Sequence, residues 1–254
     1  MSASRHLWTL GSFVLLVIIW DVAVRVFSMP AYLVPAPIDV VRALAEHWQL
    51  LAIHSWWTTL TVLAGFLAAA VVAVPLAVVI VVSSVAERLL YPPMVATQSI
   101  PKIALAPLFI VWFGFGVAPK VAVAFLIAFF PIVIDTIVGL RGIDPAMLQL
   151  ARTMGAPGHR VFLKFSLPHA LPSIFGGLKV ASTLAVVGAL TGEFIGSDKG
   201  LGYVLLQSSG NLNTTLLFAT LVVLSLLAML FFYAVEAVER LAIPWHVSQR
   251  GHPA

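Results

Sequence analysis

The sequence contains no cysteine, which excludes disulfides, thiol nucleophiles and iron–sulfur ligation. It is also poor in charge. Asp, Glu, Lys and Arg make up 9% of it, against about 25% in soluble domains. There is no Gly-x-x-x-x-Gly-Lys-Ser/Thr stretch, so the chain has no phosphate-binding loop of its own. His-Glu-x-x-His, Gly-x-Ser-x-Gly and grouped metal ligands are missing as well. His47 and His54 are too far apart to argue a metal site, and both read as surface histidines.

What the chain has is apolar length: 61% of its 254 residues are hydrophobic. This predicts an all-α polytopic membrane protein, one helical bundle without a separate catalytic domain. Six runs approach the ~20 residues needed to cross a bilayer. They fall near 7–27, 57–82, 89–112, 120–140, 171–191 and 215–235. The first competes with a cleaved signal peptide. Its length, and the lack of a small-residue cleavage motif before Pro30, favour an uncleaved span. Between the first two runs, Asp39 is placed to cap a short helix through Gln49, with Val40, Val41, Leu44 and Trp48 on its apolar face. The third run holds Pro92, Pro93, Pro101 and Pro107, so a bent or broken helix is expected there.

Three kinds of feature interrupt the apolar runs. Lys102, Asp135 and Lys179 are membrane-embedded charges, and such groups are costly unless paired or facing a polar cavity. Counted from the ends of their spans, Asp135 and Lys179 reach a depth of roughly 9 to 14 Å, so they are expected to face each other or to share a polar cavity. Gly188 and Gly192 lie one turn apart on one helical face, where small residues let backbones touch. Glu193 begins a polar stretch with Ser197, Asp198 and Lys199 that is expected to leave the helix.

The segment between the fourth and fifth runs, Gln149 to Pro168, is the most basic stretch in the chain, with Arg152, His159, Arg160 and Lys164 inside it. Asp144 and Pro145 mark a helix start. Met147, Leu150, Ala151 and Met154 fall at helical spacing and form one apolar stripe. Gly155 and Pro157 stop that helix, and a second helical stretch is expected over about 158–166. Leaving out Lys102 and Lys179, the side bearing this loop carries Arg5, Arg88, Arg141, Arg152, Arg160, Lys164, Arg240 and Arg250. The other side carries Arg25, Arg42, Lys120 and Lys199. The imbalance predicts that the loop and both termini are cytoplasmic.

This loop resembles that of the permease subunits of bacterial ATP-binding-cassette importers. Their pattern is Glu-Ala-Ala, three residues, Gly, nine residues, Ile, one residue, Leu-Pro. Here Gln149, Leu150 and Ala151 are followed at that spacing by Gly155, Phe165, Leu167 and Pro168. The sequence departs from the pattern at Gln149, Leu150 and Phe165. Gln149 in particular lacks the charge of the family's glutamate. Trp112 to Gly116, Gly192 to Gly196 and Gly200 to Tyr203 further resemble the nitrate, sulfonate and taurine branch. The ending Glu239 to His246 looks closer to members that carry vitamin precursors.

The resemblance implies an importer permease with six transmembrane helices in the bacterial inner membrane. Residues 1–56 would form a first span and a periplasmic interfacial segment, and 57–246 the permease core with its coupling loop at about 141–169. Residues 247–254 would be a cytoplasmic tail. Gln149, Leu150, Ala151, Arg152, Met154, Gly155, Phe165, Leu167 and Pro168 would couple to a separate ATPase, with the apolar stripe buried and Arg152 at its rim. That ATPase would bind the ATP, leaving no cofactor on this chain and no catalysis. A periplasmic binding protein would deliver substrate to a homodimer. Lys102, Asp135, Lys179, Gly188, Gly192 and Glu193 remain candidates for the pathway or for packing. The substrate implied is a small organic anion of the nitrate, sulfonate or taurine class, or a pyrimidine or riboflavin-type precursor. The competing reading is an ion-coupled secondary transporter using Lys102, Asp135 and Lys179, although the two halves show no inverted repeat of hydropathy.

Overall fold

The computed structural model describes residues 2–247; the side chains of 2–10, 13, 152, 246 and 247 lie outside the described set. Among the described residues every regular element is helical. The first apolar run is α1 (Ser2–Val26), near whose end Arg25 pairs with Asp21 at 2.7 Å, one turn back. Arg5 and Arg250, used in the charge count, lie outside the described side chains, as does the tail from 248 onward.

α2 (Pro37–Glu46) is capped by Ala36, and Pro37 supplies the first helical turn. Asp39, expected to cap this helix, instead lies inside its first turn and pairs with Arg42 at 3.5 Å. Proline's preset φ starts the helix ahead of the aspartate. Val40 and Ala43 bury against Ala219, while Val41 and Trp48 point outward. The chain turns at His47, and α3 (Trp48–Val82) begins well before Trp57. Residues 48–64 hold neither proline nor glycine, so nothing local interrupts the helix. Pro75 is accommodated inside it.

The proline-rich third run breaks as its composition requires. α4 (Ser84–Gln98) starts at Ser83, whose hydroxyl accepts the Ala86 N–H at 3.2 Å. Pro101 then opens a 3-10 turn, Lys102–Leu105, and Pro107 lies in the first turn of α5 (Ala106–Phe113). Pro101 has no N–H to continue the ladder and pushes Ile100 away from helical ψ. The two halves meet at 93°. Gly114, at φ +74°, ends α5, and α6 (Val117–Arg141) follows.

The polar segment forms α7 (Pro145–Thr153), α8 (Gly158–Val161) and a π-helical turn, Phe162–Ser166. α9 (Leu167–Gly196) continues from that turn without a gap, so Gly158–Gly196 is one helical rod of 39 residues. α10 (Leu201–Gly210), α11 (Thr214–Ala242) and α12 (Pro244–Val247) complete the described chain.

Among the described residues, four helices are long and apolar enough to cross a membrane: Trp48–Val82, Val117–Arg141, Gly158–Gly196 and Thr214–Ala242. The bent pair α4–α5 makes a fifth when counted as one span. α6 lies at the centre, packed along α9 on one side and α3 on the other. Small residues set this closeness. A Cβ at Gly65 of α3 would stand 2.5 Å from the Cβ of Ala124, and one at Gly188 of α9 would stand 2.6 Å from its Cα. Ala124 of α6 is therefore gripped between two glycines. Val62, Ala69, Ala73 and Ile80 of α3 join Ala128 and Ile132 of α6 and Ala181 and Ala185 of α9 in the same dry core. The outward faces stay apolar, with Val71 and Val111 more than two-thirds exposed. Such a surface suits lipid or another helix rather than water.

Candidate functional site

The polar loop is built by local hydrogen bonds at one end of the bundle. Asp144 Oδ1 accepts the Ala146 N–H at 2.8 Å and so caps α7 from outside its first residue, Pro145. Gly155 takes φ +74°, and the next amide, that of Ala156, closes the helix by donating to Ala151 O at 3.1 Å. This is a left-handed glycine stop. Arg160 and Val161 then donate to Pro157 O, which starts the second helix. Arg141, at the end of α6, donates to Glu87 of α4 at 2.7 Å and fixes the ends of those helices beside the loop.

The expected apolar stripe divides. Met147, Leu150 and Met154 are 51%, 62% and 79% exposed, a row of large apolar side chains on the outer face of α7. Ala151 is buried, so it belongs to the loop's inner face and not to the row. It faces inward because the residues beneath it, not its spacing, decide which side is covered. Gln149 is exposed beside the row, while the Arg152 side chain lies outside the described residues. Phe165 is exposed with Leu163, whereas Leu167 packs with Leu140, Ala170 and Ile174, and Pro168 is half-buried in the first turn of α9. Behind the loop a cavity of about 370 Å³ lies between Val81, Leu140 and Ile143 on the bundle and Leu148, Val161 and Phe162 on the loop.

At the opposite end the sequence reading missed a buried polar network. Glu193, expected near a helix exit, lies within α9 at 2% exposure. Its carboxylate accepts the Thr58 hydroxyl at 2.9 and 3.1 Å and the Gly202 N–H at 2.8 Å. Thr58 Oγ1 accepts the Leu201 N–H at 2.8 Å, and His54 Nδ1 accepts the Gly200 N–H at 3.0 Å. The first amides of α10 thus find acceptors on α3 and α9, not on a local cap. His54 is consequently buried, not a surface histidine. The legible signal was a pair of polar residues, His54 and Thr58, one turn apart in the first half of a membrane-length helix. Lys120 is buried next to this network and donates to Ser197 Oγ. Gly192 packs on it, since a Cβ there would stand 2.7 Å from Lys120 Cα.

The expected Asp135–Lys179 pairing is not formed. Lys179 Nζ donates to Glu239 Oε2 of α11 at 2.7 Å, with the two side chains 14% and 3% exposed. The α9 residue that meets Asp135 is Gly177, whose added Cβ would lie 2.8 Å from Asp135 Cβ. Residues two apart on a helix point to different sides, so the face that brings Gly177 to α6 turns Lys179 toward α11. The sixth apolar run fades near Val235, whereas α11 continues to Ala242 and so carries Glu239 into the packed helices. Lys102 is half-buried with its Nζ 4.6 Å from the centre of the Phe130 ring. Lys102, Asp135 and Lys179 therefore have separate neighbours.

Among known proteins, residues 65–243 match the family described as binding-protein-dependent transport system inner membrane component. The chain is 36% identical over 238 residues to a formylaminopyrimidine transport permease protein of Halalkalibacterium halodurans, covering 93% of this chain and 95% of the relative. It is 34% identical to a riboflavin transport system permease protein of Chloroflexus aurantiacus, covering 92% and 88%. It is 32% identical to a putative aliphatic sulfonates transport permease protein of Escherichia coli, covering 91% and 89%. Among solved structures it is similar to a chain of the inward-facing MetNI methionine ABC transporter. The TM-score is 0.67 at 23% identity, with 77% of this chain and 97% of that one covered.

Proposed function

Because the chain belongs to the family of binding-protein-dependent transport system inner membrane components, we propose that the exposed face of α7 is where it receives the work of a partner ATPase. The chain is a multi-pass membrane protein and the permease subunit of an ATP-binding-cassette importer. Its family consists of transport permeases, which are not enzymes, and hydrolysis is assigned here to the partner, which binds the ATP. The observation that carries the reading is the row Met147, Leu150 and Met154, exposed on a polar loop at one end of an apolar bundle. A large apolar row at a water-facing end favours burial against another protein.

The mechanism follows from the continuity of the rod. A push on α7 passes through Gly155 into α8, and from α8 through the π-helical turn into α9, since the backbone stays helical from Gly158 to Gly196 with Pro172 accommodated inside it. α9 packs on α6 through Gly188 and Gly192, so it moves α6 by rigid contact. ATP-driven approach of two partner subunits would thus bring two copies of the loop together and rock two copies of the bundle between inward-open and outward-open states. On this reading the loop and both termini face the cytoplasm, and the chain works in the inner membrane as a homodimer fed by a periplasmic binding protein. The buried pairing of Lys179 with Glu239 disfavours the ion-coupled alternative, because the three charges that reading needs are not gathered.

The similarity to the formylaminopyrimidine and riboflavin permeases favours a pyrimidine- or flavin-type precursor as cargo over a sulfonate. The test is uptake by proteoliposomes holding this permease with its partner ATPase and binding protein. ATP-dependent accumulation of labelled formylaminopyrimidine, unaffected by excess ethanesulfonate, is expected. Accumulation driven by an ion gradient without ATP would refute the ATPase coupling, and accumulation of the sulfonate alone would reassign the cargo.

A further inference from the structure

A lone ammonium sits at mid-height of this bundle. Lys102 lies in the 3-10 turn between α4 and α5. Its Nζ rests over Phe130, 4.6 Å from the ring centre. Phe130 falls near the middle of α6 (Val117–Arg141), so the ammonium stands about halfway between the two ends of the bundle. Among the described residues no carboxylate lies within salt-bridge distance of it. The other buried cations differ: Lys179 is paired with Glu239, and Lys120 donates to Ser197.

Three environments can be weighed for such a group. Lipid is costly for an ammonium even on the mildest insertion scales. Escape to an interface is blocked by position, because the ring that seats the ammonium is itself mid-span and 7% exposed. Water, or a polar molecule passing through water, remains. The surrounding backbone suits that choice. The 93° break between α4 and α5 interrupts the helical ladder, and such breaks at membrane depth are tolerated where the freed carbonyls are buried in protein or line a water-filled path. The turn's own sequence, Pro101-Lys102-Ile103-Ala104-Leu105, carries no other polar side chain, so the ammonium is the single donor there.

We propose that Lys102 lines the translocation pathway and donates a hydrogen bond to an acceptor oxygen of the passing substrate, with the Phe130 ring as its resting seat. The aromatic face holds the cation between passages by the attraction of its ring quadrupole, weak enough for an oxygen acceptor to displace. A carbonyl oxygen of a pyrimidine-type cargo and a sulfonate oxygen share this chemistry. The inference rests on the importer-permease reading but not on which of these two cargoes is carried.

The natural lack of cysteine makes the test direct. Lys102→Cys and Val111→Cys, the latter 79% exposed on α5, are made singly and assembled with the ATPase and binding protein in proteoliposomes. A water-soluble, membrane-impermeant methanethiosulfonate is expected to label position 102 much faster than position 111. Saturating transported cargo, formylaminopyrimidine or ethanesulfonate, should slow labelling at 102 at least threefold. In parallel, Lys102→Arg should keep most uptake and Lys102→Met should lose it tenfold or more at equal membrane abundance. An unreactive position 102, or a labelling rate indifferent to transported cargo, overturns the proposal, as does full uptake by Lys102→Met. If neither cargo is transported by the unmodified complex, the cargo assignment fails. Labelling at 102 against 111 still decides whether the path is wet there.

Discussion

The Thr58 hydroxyl donates to the Glu193 carboxylate, 2.9 Å from one oxygen and 3.1 Å from the other, joining α3 to the far end of α9. The same hydroxyl oxygen accepts the Leu201 amide, and the carboxylate accepts the Gly202 amide. α10 is therefore capped by α3, remote in sequence, and by the end of α9 just before it. Glu193→Ala would strand Gly202 N–H and the Thr58 hydroxyl in a dry place, at about 1 to 3 kcal/mol for each buried group. Glu193→Gln keeps an acceptor and a similar shape. The expected order of thermal stability in detergent is wild type, then Gln, then Ala, with Ala several degrees lower. Equal melting of all three would mean that the network contributes nothing to holding α10.

Gly200 is the steric counterpart of that acid. Its φ is +110°, and a Cβ there would fall 2.2 Å from Glu193 Cδ. Gly200→Ala should therefore destabilise as much as Glu193→Ala or more. The double variant should recover part of the loss, since removing the carboxylate frees the space. A double-variant cycle on melting temperature measures this, and strict additivity would contradict the contact.

The Lys179–Glu239 pair sets a different expectation. Breaking one side leaves a charge buried without its partner, which typically costs about 3 to 5 kcal/mol. Glu239→Ala should thus reduce folded yield sharply. Replacing the pair together, as Lys179→Met with Glu239→Leu, should restore yield toward wild type. If the double variant folds but no longer transports, the pair has a role beyond holding α11 on α9. If it folds no better than Glu239→Ala, the ion pair does not explain the loss.

What the sequence made legible divides along physical lines. The prolines of the third run foretold its break, because a missing N–H acts locally whatever surrounds it. Gly155 and Asp144 foretold the ends of α7 for the same reason. The charges were harder. Asp135 and Lys179 sit at comparable depths, but depth is one coordinate, and the face each turns to a neighbour depends on which helices pack together. Gly177, not Lys179, meets Asp135. Ala151 shares the spacing of Met147, Leu150 and Met154, and only the covering bundle separates it from them. His54 looked like a surface residue because its acceptor role depends on an amide from Gly200, which is distant in the chain.

Gly188 offers a test of the central packing. A Cβ there would lie 2.6 Å from the Cα of Ala124, a backbone atom that cannot step aside. Gly188→Leu should therefore separate α9 from α6 and abolish transport together with much of the folded yield. Gly176, where a Cβ would meet nothing within 4 Å, is the control. Gly176→Ala should fold and transport normally. Normal transport by Gly188→Leu would show that the two helices do not meet there.

The last prediction concerns Gly155, where local backbone and long-range function meet. At φ +74° this residue turns the chain between α7 and α8, and a Cβ there would touch nothing within 4 Å. Substitution therefore acts through backbone conformation, not through a clash. A β-branched residue in the left-handed region costs on the order of 1 to 2 kcal/mol, small against the burial that holds α3, α6 and α9 together. Gly155→Val should leave membrane abundance and melting temperature near wild type. It should also extend α7 or tilt it, moving the row Met147, Leu150 and Met154 away from the partner that covers it. ATP-driven uptake is then expected to fall at least tenfold, and less ATPase should copurify. Met154→Cys supplies the second reading, since it would be the chain's single thiol. Met154 is 79% exposed in the isolated chain, so a cysteine there should be labelled readily without the ATPase and slowly with it. In the Gly155→Val background the ATPase should no longer protect it. Normal uptake by Gly155→Val, or labelling at 154 that ignores the ATPase in the wild-type background, would remove α7 from the coupling surface.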